Sequence, residues 1–115
     1  MDGELEKVLK ILTDDYAIKI LVASYDKEKS AIQLSQELEV PIAACYRRIH
    51  LLQNAGFLQV SERINSKGKR IKYYNSLIKK ASINIEDNRV LVEIVYKNGV
   101  VKKLSGSIVG KGYGK

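Results

Sequence analysis

Tryptophan is absent from this sequence, and cysteine, histidine, proline and phenylalanine occur once each. A single thiol, Cys45, closes no internal disulfide, which argues against the stapled framework of a small secreted domain. One Cys and one His leave no material for the four-ligand set of structural zinc, so no metal site is expected. Nucleophilic catalysis would want a Ser or Cys beside a positioned His, and His50 stands on the presumed outward face of its helix. Glycine-rich phosphate loops are missing too: GKGYGK, at the end, lacks the strand-to-helix setting that gives such a pattern meaning. Neither an enzyme nor a cofactor is therefore expected. No apolar run is long enough to span a bilayer, and the opening MDGELEKVLK is acidic where a targeting leader is basic. The chain reads as soluble and cytoplasmic, with no membrane partner.

What remains is ordinary in amount and unusual in sign. At 115 residues, 45% hydrophobic and 29% charged, the chain has the composition of one globular domain. Its net charge of +7 draws anions, and nucleic acid is the first partner to test, ahead of an acidic membrane surface.

Leu5, Val8, Leu9 and Leu12 recur at helical spacing and predict an amphipathic first helix. Thr13, Asp14 and Asp15 supply cap-type side chains for a second helix that ends near Tyr25. Ser30 caps a short third helix facing inward through Leu34 and Leu38, and Pro41 forces a turn at Glu39 and Val40. A fourth helix runs from Pro41 or Ile42 to Asn54 or Ala55, with Gly56 as its left-handed cap and Phe57 packing back beneath it. The period then changes to that of strands. FLQVSERI and KRIKYYNSL flank a turn-rich Asn65 to Gly68, predicting a hairpin, and SINIE, RVLVEIVYK and VVKKL predict a three-stranded meander with turns at Asp87-Asn88 and Asn98-Gly99.

Two short helices across a tight turn, then a hairpin with a basic tip, is the element order of a winged helix-turn-helix. The run SAIQLSQELEVPIAACYRRIHLLQNAGFLQV resembles the DNA-binding core of ArsR-like and MarR-like transcriptional regulators, in its turn helix, its R-R-I-x-x-L recognition helix and its closing A-G-hydrophobic element. The resemblance covers roughly residues 13 to 75 and implies an α+β fold, double-stranded DNA as partner, and action as a homodimeric regulator. Metal sensing is not carried with it, since the Cys pair of metal-sensing ArsR-like proteins has no counterpart here.

Independently of the resemblance, at about 100° per residue Ile49 and Leu52 fall within roughly 40° of Cys45 and define a buried face. Ala43, Tyr46, Arg47, His50 and Asn54 spread over the other side. Small Ala43 and Ala44 let backbone approach a duplex, and Arg47 suits guanine O6 and N7 or a phosphate. Arg48, nearer the buried boundary, suits a phosphate contact or an internal ion pair; Tyr46 suits packing or a phosphate. In the hairpin, Arg63, Asn65, Lys67, Lys69, Arg70 and Lys72, with only Glu62 adjacent in opposition, suit a wing on the sugar-phosphate backbone or in a minor groove, or an edge guarded against aggregation.

The expected division is residues 1–80 as the winged helix, 81–106 as a meander packed on it, and 107–115 as a flexible tail. Leu5, Val8, Leu9 and Leu12 are the candidate dimer interface, or else pack within their own domain. The apolar Val90, Leu91, Val92, Ile94 and Val95 indicate burial on both faces or an interface, so a protein-docking module is the alternative function; an effector pocket in the meander also stays open, with no effector named.

Overall fold

A computed structural model of the chain describes residues 3–107. Four helices, α1 Gly3–Leu12, α2 Asp15–Ala23, α3 Ala31–Leu38 and α4 Ile42–Asn54, precede five strands. These are β1 Leu58–Ile64, β2 Arg70–Ser76, β3 Ile78–Glu86, β4 Arg89–Tyr96 and β5 Val101–Gly106. The class is α+β, with antiparallel strands in two small sheets, β1-β2 and β3-β4-β5.

The chain divides into two compact units, Ile11–Leu77 and the remainder. The expected boundary at 80 and 81 is displaced on both sides of the helical region. β3 starts at Ile78, so Lys79 and Lys80 belong to the second sheet, and α1 contributes residues 3–10 to the unit of that sheet. Beyond Ser107, the expected tail lies outside the described residues.

In Ile11–Leu77 each helix boundary has a chemical cause. Asp14 is extended and its carboxylate accepts from the Ala17 N–H at 2.8 Å, starting α2. That helix stops at Ala23, earlier than Tyr25, because Ser24 turns away: its hydroxyl donates to the Ile20 carbonyl at 2.7 Å, and its own carbonyl accepts from Ser76 N–H and Asn75 Nδ2. Ser30 and Gln33 form a reciprocal capping box on α3. Glu39 then takes the left-handed conformation with φ of 54°, and buried Val40 leads through Pro41 into α4. At its far end Gly56, with φ of 78°, lets the Phe57 N–H reach the Leu52 carbonyl and its own N–H reach Gln53, a Schellman closure that drives the Phe57 ring into the core at 1% exposure. Ala17, Ile20, Leu34, Cys45, Ile49, Leu52 and Leu58 complete that core.

The β1-β2 hairpin turns at Asn65–Lys69, where Gly68 adopts φ of 79° and the Asn65 side chain accepts from the Lys67 and Lys69 N–H groups, both at 2.9 Å. One feature went unread in the sequence: Lys29, between α2 and α3, exchanges both backbone hydrogen bonds with Tyr74, at 2.9 and 2.8 Å, on the free side of β2. This anchors the hairpin beside the helices.

In the other unit, Asp87 and Asn88 both have positive φ, the geometry of a two-residue turn that matches strand twist. Along the central strand β4, Val90, Val92 and Ile94 are buried while Leu91, Glu93 and Val95 are half-buried. Leu104 and Lys102 of β5 stand opposite Val92 and Ile94 on the same face, and Lys102 pairs with Glu4 of α1. Leu5 and Val8 of α1 are themselves buried. They are therefore removed from the candidate dimer interface: their stripe is consumed within the chain. Leu9 and Leu12 are half-buried.

Candidate nucleic-acid interface

The outward side of α4 and the β2 strand of the hairpin border a groove of about 1130 Å³, which the start of α3 also lines. α4 lines it with Tyr46, His50 and Gln53, which follow one another around the helix at spacings of four and three. The hairpin lines it with Lys69 of the turn and Arg70 and Lys72 of β2, and the start of α3 with its cap Ser30 and with Ile32 and Gln33. Pro41 gives no side-chain cap to α4, so the first-turn N–H groups of that helix have no intrachain side-chain acceptor there.

The cross-strand register sorts the wing residues. Tyr74, Lys72 and Arg70 stand opposite Val60, Glu62 and Ile64, whereas Tyr73 and Ile71 stand opposite Ser61 and Arg63 on the reverse face. Tyr74 is buried, and that burial, with Tyr46 and Cys45 nearby, pushes its hydroxyl pKa up. Arg70 is held by Glu62 at 3.1 Å. Lys67, Lys69, Lys72 and Arg47 are exposed, and their side chains have no partner among the described residues. Of these, Lys69 and Lys72 line the groove as unneutralised positive charge, while Lys67 lies at the wing tip and Arg47 on the exposed side of α4.

Three assigned residues are placed elsewhere. Arg48 donates twice to Asp14, at 3.1 and 3.2 Å, and its guanidinium lies 5.2 Å from the Tyr16 ring centroid. Of its two readings the internal ion pair is the one formed, and this arginine holds the Asp14 carboxyl below its usual range. Arg63 pairs with Glu28 at 2.5 Å and covers the Tyr73 ring at 4.2 Å, on the sheet face opposite Lys72 and Tyr74. Glu28 also accepts from the Ser61 hydroxyl at 2.6 Å, so Arg63 belongs to a clamp that ties β1 to the α2–α3 connection. Ala44 is buried beside Cys45 rather than presented outward. Its position at about 260° from Cys45 places it near Arg48, on the side that packs toward α2. Ala43, by contrast, is exposed as expected.

Asn65 builds the wing tip through its backbone bonds. Cys45 is fully buried, donates weakly to the Ala31 carbonyl at 3.7 Å, and has its pKa raised by that burial, which leaves it an unreactive thiol. Sequence reasoning missed Gln53, although the same helical arithmetic places it between Cys45 and Tyr46. It also missed Glu28, which no local pattern links to Arg63.

Among the described residues no helix is long and apolar enough to cross a membrane. No protein-family model matches the chain, and no curated protein matches it.

Proposed function

We propose that Ile11–Leu77 is a winged helix-turn-helix that binds double-stranded DNA with sequence preference, α4 entering the major groove and the β1-β2 wing following the backbone or a minor groove. The observation that carries the reading is a groove bordered by the fourth helix and lined by the unpaired wing cations Lys69 and Lys72, with two further unpaired cations, Arg47 on the exposed side of α4 and Lys67 at the wing tip, on the same two elements. Ordinary surfaces interleave opposite charges; here the neighbouring carboxylates Glu62 and Glu28 are taken by Arg70 and Arg63. A regulator of transcription, acting in the cytoplasm as a homodimer on a palindromic site, is the role that fits such a module, since one short helix reads few base pairs. Its pairing surface would not be the buried Leu5 and Val8.

Selection of retained sites from random-sequence duplexes at two salt concentrations tests the reading. Enrichment of a palindrome is expected, with binding that weakens as salt rises. Salt-sensitive retention without enrichment would reduce the role to architectural binding. No retention at moderate salt would overturn it in favour of a protein-docking module. Arg47→Ala should relax base discrimination, whereas Lys67→Ala and Lys69→Ala should weaken all duplexes alike, each lowering the salt slope by about 1.

A further inference from the structure

The first two turns of α4 present an unusual chemistry for a base-reading surface. Ile42 and Tyr46, four residues apart, are 42% and 51% exposed, and Ile32 of α3 beside the groove is 59% exposed. Ala43 is exposed between them and Arg47. Large apolar side chains left in water at the mouth of a cationic groove have a cost that a partner surface removes. The free cations Lys69 and Lys72 on the groove, and Arg47 next to Tyr46 on the exposed side of α4, select a polyanion as that partner.

Base edges in the major groove differ in what they ask of a protein. Cytosine offers an amino donor and needs an acceptor such as Asp or Glu; adenine is best met by Asn or Gln; guanine by Arg; thymine alone carries a methyl group. The helix IAACYRRIHLLQN contains no Asp or Glu, its amides Gln53 and Asn54 lie at its far end, and Arg48 is engaged by Asp14. Its exposed leading half therefore holds one strong bidentate donor, Arg47, and an apolar strip, Ile42, Ala43 and Tyr46.

We propose that this strip reads thymine methyl groups in the major groove, with Arg47 fixing a neighbouring guanine, so that the preferred half-site is thymine-rich around a single G·C pair. The inference rests on the duplex-binding reading above and adds the base class recognised. It uses Tyr46 as an apolar wall rather than as a stacking platform or a phosphate donor.

Replacing thymine by deoxyuridine removes the methyl group and leaves pairing and the minor groove intact. With the full chain and a duplex obtained by selection, each substitution at a contacted thymine should weaken binding about three- to fivefold, the loss of one buried methyl group. Ile42→Ala and Tyr46→Ala should each erase that penalty at one position, because the partner of the methyl is gone. Arg47→Ala should instead erase the preference for the G·C pair. Equal affinity for thymine and deoxyuridine duplexes would overturn methyl readout while duplex binding stands. Enrichment of sites lacking thymine would do the same, and absence of salt-sensitive duplex binding would remove both readings together.

Discussion

Asp14 does two jobs with one carboxylate, capping α2 through the Ala17 N–H and holding Arg48 of α4. Asp14→Asn keeps a good cap and removes the anion, which isolates the ion pair. At neutral pH this change should lower stability by about 1 kcal/mol in urea denaturation, the scale of a partly exposed pair. Arg48 lowers the folded-state pKa of Asp14 from its ordinary value of 3.8, so the contribution is complete above that value and is lost as pH falls through the folded value. The difference between wild type and Asp14→Asn should accordingly close in acid; a gap independent of pH would mean the pair contributes nothing. Leu5 gives a second test at this scale. Because it is fully buried within the chain, Leu5→Ala should cost about 3 kcal/mol and leave oligomeric state, read by light scattering, unchanged.

The turn elements are where backbone conformation, rather than side-chain burial, decides. Glu39 sits at φ of 54°, a conformation disfavoured for any residue with a Cβ, because the α3–α4 turn requires it. Glu39→Gly should therefore raise stability by about 0.5–1 kcal/mol in thermal or urea denaturation, with the duplex affinity of α4 unaltered. Asn65 is the opposite case, a residue suited to its place, whose carboxamide oxygen organises the wing tip through two backbone N–H groups. Asn65→Ala should accelerate amide exchange at Lys67 and Lys69 and weaken all duplexes equally, since a frayed tip loses phosphate contacts and no base contact.

For the molecule as a whole, a net charge of +7 governs association more than it governs the fold. The three unpaired wing lysines, Lys67, Lys69 and Lys72, predict a log–log salt slope of about −3 for one bound copy and about −5 for two. Measured beside the stoichiometry on a selected site, the slope tests dimeric binding without knowledge of the pairing surface. The second sheet has a different character: its buried Val90, Val92 and Ile94 share a compact unit with the opening residues of the chain, whose Leu5 and Val8 are buried too.

The order of elements was legible because local chemistry dictates it. Pro41, Gly56, Ser30, Asp14 and the Asn65–Gly68 turn act within a few residues of themselves, so helix limits and hairpins follow from neighbours alone. The outward set Ala43, Tyr46, Arg47 and His50 followed from helical period for the same reason. What tertiary structure alone decided is which charges are spent and which faces are covered. Arg63 and Arg70 look as free in sequence as Lys72, and Arg48 is left between a phosphate and an internal pair, yet Glu28, Glu62 and Asp14 neutralise them across loops and strands. The stripe of Leu5 and Val8 reads equally as an interface or as core, and in the structure it is buried, in a unit whose other part is residues 78–107. An ion pair or a buried face is a property of two distant segments at once, and periodicity within one of them carries no information about the other.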